Sequence, residues 1–138
     1  MTKAKPEPIY GVDDASYQAA GQETGIRVLV DDFYHVMSTL PEARKIREMH
    51  PEDLEEARDK LARFLCGWLG GPKLFQGKYG PIRIPKAHRH LEIGLAERDA
   101  WLLCMEEALK QQPYADSFKK YLLEQLYVPA EGSRNKEE

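Results

Sequence analysis

Apolar residues recur at Ile26, Leu29, Val30, Phe33, Tyr34 and Met37. That spacing gathers them on one face and predicts an amphipathic helix. Ahead of it, Asp13 or Asp14 is placed to cap a short helix through Tyr17 and Ala20, punctuated by Gly21 and Gly25. Pro41 restarts the chain in a short charged helical piece from Glu42 to Met49. Pro51, Glu52 and Asp53 then suit the N-terminus of a long helix. Its inner face reads Leu54, Ala57, Leu61, Phe64, Leu65 and Trp68, and Gly70-Gly71-Pro72 ends it. Gly77, Gly80, Pro81 and Pro85 mark 72–85 as a loop that disfavours regular helix. A short helical segment is expected over about Lys86–Ile93. Next comes a strong helix over Leu95–Gln111, with Trp101, Leu102, Met105, Ala108 and Leu109 inward, which Pro113 breaks. The last helix, about Ala115–Tyr127, buries Phe118, Leu122, Leu126 and one of Tyr121 or Gln125. No segment alternates apolar and polar residues in a sustained way, so the expected fold class is all-α.

A chain of 138 residues fits one domain. Residues 1–10 read as a flexible N-terminal extension, 11–128 as the domain, and 129–138 as a flexible polar tail. With 20 Lys+Arg against 23 Asp+Glu the net charge is −3, which argues against a dedicated nucleic-acid binder. No apolar run reaches the roughly 18 residues of a membrane span. The first residues lack the apolar stretch of a signal peptide, so the expected location is cytoplasmic. Cys66 and Cys104 sit in apolar helical patterns, as buried reduced thiols do, and lack the paired spacing of a zinc site.

Candidate chemistry narrows quickly. No serine sits in a nucleophile turn, and Gly70-Gly71 follows a helix where a phosphate loop would follow a strand. The charge run Glu52–Arg63 reads as a solvated helix face, with Glu55–Asp59 and Glu56–Lys60 as i,i+4 neighbours. Of the four histidines, His35 lies off the apolar face and should be exposed, and His50 sits at a helix junction before Pro51. His88 and His90 are two apart and do not share a helix face, so one of them points inward alone. Tyr34 and Trp101 lie on buried stripes, and each polar atom needs a partner. A backbone carbonyl is the ordinary partner; the sharper reading has both line a cavity and donate to a bound ligand.

Four pieces of the sequence, in order, resemble a truncated, two-over-two haemoglobin of group II. They are Phe33-Tyr34 near a helix end, Phe64-Leu65, the helix stop Gly70-Gly71-Pro72, and Glu97-Arg98-Asp99-Ala100-Trp101-Leu102 nine residues after His88. The resemblance spans roughly residues 15–127. It implies a globin-like helical sandwich enclosing haem b (iron protoporphyrin IX), with a short proximal helix after a long loop. His88 then resembles the proximal iron ligand, whose other ring nitrogen donates to an acceptor. Tyr34 resembles the distal tyrosine and Trp101 the distal tryptophan. Ala57 stands where many globins carry a distal histidine, and Leu61 and Phe64 line the apolar distal wall. His50 departs from the Tyr or Phe usual at its position, Gly21-Gln22 replaces a frequent double glycine, and Ala87 replaces an arginine before the proximal histidine. Arg83, Lys86 and Arg89 are the candidate partners of the haem propionates.

The resemblance implies reversible binding of O₂, NO and CO in a polar distal pocket, where Tyr34, Trp101 and His50 supply up to three donors. Such donors favour O₂ over the less polar CO. Slow release of O₂ suits O₂, NO or peroxide chemistry better than bulk transport. Turnover of the nitric-oxide-dioxygenase or peroxidase kind would need a separate reductase. His50 or Tyr34 closing on the iron in the absence of a ligand is a further possibility. The expected assembly is a monomer or weak homodimer. The alternative reading is a haem-free helical interaction module with a globin-like fold; a metal site built on His50 with His88 or His90 finds no support in spacing.

Overall fold

The computed structural model describes residues 9–82, 88 and 90–136. Helices are α1 (Ala15–Ala19), α2 (Gln22–Thr39), a 3-10 turn (Pro41–Ala43), α3 (Arg44–Glu48), α4 (Glu55–Trp68), α5 (Leu74–Tyr79), α6 (Leu95–Lys110) and α7 (Asp116–Gly132). No strand occurs among the described residues. α2 packs on both α4 and α6, and α6 packs on α7. One pair of long helices is thus laid over the other, the two-over-two arrangement expected.

All six residues of the predicted α2 face are buried. They meet Leu65 and Cys66 of α4, Cys104, Met105, Ala108 and Leu109 of α6, and Phe118, Leu122 and Leu126 of α7 in one core. Tyr121 of α7 turns inward while Gln125 stays exposed. Asp53, one residue before the Leu54 N-cap of α4, accepts the Glu55 N–H at 2.9 Å. Asp14 stands at the N-cap of α1 but makes no capping bond; its carboxylate accepts from Gln18 Nε2 at 3.0 Å.

The end of α4 shows why glycine is needed there. Gly70 has φ +93°, and a Cβ on it would lie 2.1 Å from the Asp13 carbonyl oxygen. A Cβ on Gly71 would lie 2.4 Å from the Tyr17 ring. The pair therefore terminates α4 and lets α1 approach its end, where Tyr17 N–H donates to the Leu69 carbonyl at 3.0 Å.

Three expectations need revision. The stretch 72–85 holds a helix, α5, although Gly77 lies inside it. Tertiary anchors override its weak local propensity: Tyr79 Oη and Lys78 Nζ reach the Asp59 carboxylate at 2.7 and 2.8 Å. The helix expected over Lys86–Ile93 is absent from its described residues, 88 and 90–93, where Leu91 N–H donates to the His88 carbonyl at 3.0 Å. The last helix continues past Tyr127 to Gly132 with Pro129 inside it, so the expected boundary at 128 falls within α7. The extension expected over 1–10 lies outside the described residues as far as residue 8.

Candidate functional site

Tyr34 projects from α2 into the core, and only 5% of its surface is exposed. Its ring meets Phe33 edge-on at 5.0 Å and the His50 imidazole edge-on at 5.7 Å. Phe33 contacts the half-buried Trp101 of α6, again at 5.0 Å. Four rings from α2, α6 and the α3–α4 junction thus form one continuous cluster. The Tyr34 hydroxyl donates to the Ala57 carbonyl of α4 at 3.5 Å, the long limit for such a bond. Burial pushes the phenol pKa well above the ordinary tyrosine range, with the nearby Arg58 opposing. The group keeps its proton and stays a donor.

His50 is half-buried, with Nδ1 2.8 Å from the Ile46 carbonyl oxygen. A carbonyl accepts only, so Nδ1 carries the proton and donates. Burial lowers the His50 pKa, against the bond to Ile46; Arg47 and His88 lower it further. The ring is therefore neutral near pH 7, and its Nε2 presents a lone pair. The sequence counts His50 as a third donor; in this tautomer it is an acceptor. The influence of His88 also puts the two imidazoles within electrostatic reach of each other.

α4 shows two different faces. Ala62, Leu65 and Cys66 are buried. Ala57, Leu61, Phe64 and Trp68 touch the core yet remain half-buried. Phe64 and Trp68 stack with centroids 6.0 Å apart. The sequence puts these four on the inner face of the helix; the structure shows them as an apolar strip that keeps some exposed surface, beginning at the residue that receives the Tyr34 hydroxyl. Such a strip is built to be covered by something apolar.

His88 is half-buried and His90 exposed. Arg83, Lys86 and Arg89 lie outside the described residues. Among the described residues no three His, Cys, Asp or Glu side chains form a metal-binding group. Cys66 and Cys104 are buried free thiols, as expected.

Sequence reasoning missed Asp59. It belongs to the run read as a solvated face, but its carboxylate accepts from Arg27, Arg63, Lys78 and Tyr79. These donors, Lys78 and Tyr79 foremost, hold its pKa far below the ordinary value. It stands in a charged cleft of about 650 Å³ between α2 and α4 that also holds Arg27, Asp31 and Arg58 and is distinct from the ring cluster. Arg63 is its i,i+4 neighbour on α4, but Arg27 comes from α2 and Lys78 and Tyr79 from α5, so helical periodicity does not announce those three.

Comparison with known proteins now places this arrangement. The profile of the bacterial-like globin family matches residues 15–129. The chain belongs to that family, as a group II truncated haemoglobin. It is 30% identical over 125 residues to the group 2 truncated haemoglobin YjbI of Bacillus subtilis (strain 168), covering 91% of this chain and 92% of that protein. It is also similar to the group II 2-on-2 haemoglobin of Agrobacterium tumefaciens, with TM-score 0.84 and 32% identity over 97% of this chain and all of the other. The cold-adapted truncated haemoglobin of Pseudoalteromonas haloplanktis TAC125 gives TM-score 0.84 and 31% identity, covering 88% and 98% of the two chains.

A truncated haemoglobin carries haem and binds small diatomic ligands. The residues of this haemoglobin fit that group. A flat apolar macrocycle needs apolar walls with free surface, which Ala57, Leu61, Phe64 and Trp68 provide. A polar ligand needs a dry donor, and the Tyr34 hydroxyl, buried with one long bond, is one. The globin framework around them is helical, with no helix among the described residues long and apolar enough to cross a membrane.

Proposed function

We propose that this haemoglobin holds haem b through the His88 imidazole and binds O₂, NO and CO against Tyr34 and Trp101. When bound, the haem supplies the iron position at which a diatomic ligand coordinates. The chain does the rest. Leu61 and Phe64 exclude water from one wall, and the small Ala57 leaves the approach along α4 open. Arg83 and Lys86 are the candidate partners for the propionates. Tyr34 O–H and Trp101 N–H donate to whichever ligand end carries negative charge. In a low-dielectric pocket such donors distinguish O₂ from CO by more than they would in water. His50 orders the Tyr34 side rather than adding a donor of its own.

The Tyr34 hydroxyl carries this reading. It is buried and protonated, and its bond to Ala57 is long enough to be exchanged for a better one. Slow release of O₂ would suit reaction with NO or peroxide in the cytoplasm, with electrons from a separate reductase. The test is an absorption spectrum of the purified protein in ferric, ferrous and CO-bound forms. A strong Soret band that moves with CO supports the reading. Absence of that band even after haem is added overturns it and points to a haem-free interaction module.

A further inference from the structure

The segment carrying His88 is held by the chain's own C-terminus. Asn135, beyond the end of α7, uses its whole side-chain amide on it. Nδ2 donates to the Leu91 carbonyl at 2.6 Å and to the His88 carbonyl at 3.2 Å. Oδ1 accepts from the Ile93 N–H at 2.9 Å. The backbone N–H groups of Asn135 and Lys136 both donate to the Ile93 carbonyl, at 2.8 and 3.1 Å. Lys136 Nζ adds an ion pair to Glu92 at 3.2 Å. An asparagine amide offers two donors and an acceptor, and here all three meet backbone of a single six-residue stretch.

The clamp is itself anchored. Arg98 of α6 pairs with Glu131 of α7, and Glu131 also accepts from Arg134 Nε at 2.6 Å. Arg98 and Arg134 together hold the Glu131 pKa below its ordinary value. A path of direct contacts therefore runs from α6, the helix of Trp101, through Glu131 and Arg134 to the residue next to Asn135. The His88 carbonyl takes two bonds, from Leu91 and from Asn135, which fixes its peptide plane.

We infer that Asn135 is a positioning residue for the haem ligand: the C-terminal strap sets the orientation of the His88 imidazole through the backbone of 88–93. This rests on the reading of His88 as the iron ligand. The strap acts from the proximal side and touches none of Tyr34, His50 or Trp101. Its effect therefore falls on the iron–histidine bond and not on distal hydrogen bonding.

The test compares wild-type holoprotein with Asn135→Ala, Asn135→Asp and His88→Gly by resonance Raman spectroscopy of the ferrous form, with amide hydrogen exchange at Ile93. Asn135→Ala is expected to shift and broaden the iron–histidine stretching band and to speed Ile93 exchange roughly fivefold, the factor a lost hydrogen bond gives. Asn135→Asp keeps the acceptor for Ile93 but loses both donors, so it should retain the Ile93 protection while the band still moves. A merely structural tail would change exchange and leave the band in place; that result, with Asn135→Ala folded and haem-loaded, overturns the inference. His88→Gly separates the two claims. If it loses the band, His88 is the ligand and the Asn135 variants decide the strap; if it keeps the wild-type band, both fall together.

Discussion

The Tyr34 phenol stands edge-on to the His50 imidazole at 5.7 Å, and the imidazole has already committed its Nδ1 proton to Ile46. The two residues are therefore unequal. Tyr34→Phe removes a donor, whereas His50→Phe removes an acceptor and keeps the aromatic contact. Oxygen dissociation should accelerate about tenfold or more in Tyr34→Phe, as expected for losing a bond to a charged acceptor. His50→Phe should change it by less. Stopped-flow displacement of O₂ by CO measures both, and a larger effect in His50→Phe would contradict the tautomer drawn from Ile46.

Trp101→Phe keeps a ring against Phe33 and removes the indole N–H. Faster O₂ release with nearly unchanged CO release is the expected pattern. Unchanged O₂ release would remove Trp101 from the distal donors.

Asp59→Asn should loosen α5. Four donors from three helices lose a charged acceptor, at a cost of about 1–3 kcal/mol in denaturant unfolding. The sign with pH is fixed too. Asp59 has a depressed pKa in the folded state, so its contribution is present above the ordinary carboxylate range near pH 4 and lost as pH falls toward its folded value. Acid unfolding should therefore be shallower in Asp59→Asn than in wild type.

Alkali works through raised pKa values. Burial pushes Cys104 up to about 11 and Tyr34 higher still. Their stabilisation is complete below the unfolded values, about 8.5 for cysteine and about 10 for tyrosine, and disappears as pH rises toward the folded ones. Stability should start to fall above about pH 9. Cys104→Ala, followed by denaturant midpoints across that range, should flatten the first part of the fall.

The periodic parts of this fold were legible in the chain. Ile26, Leu29, Val30, Phe33, Tyr34 and Met37 announce α2 and its buried face, because a long helix in the core repeats one environment at every turn. The same spacing on α4 does not tell full burial from partial burial, since Ala57, Leu61, Phe64 and Trp68 pack against the core yet keep exposed surface. Apolar spacing reports what must be hidden and not what hides it.

The misses share a cause. α5 stands on Asp59, and the backbone of 88–93 stands on Asn135, which is 42 residues from Ile93 in the chain. Neither anchor has a local signature: one looks like a solvated helix charge, the other like a polar tail. The sequence reads His88 as the iron ligand from its distance to the Trp101 motif, but carries no sign of the contacts that run from Arg98 to Asn135.

The account turns on His88 as the group that binds haem iron. The most direct measurement is the ferrous absorption spectrum of His88→Gly, without and with added imidazole. The five-coordinate histidine spectrum should vanish in the variant and return when imidazole fills the vacated space. A wild-type spectrum in His88→Gly without imidazole would contradict the account and assign the iron to another residue.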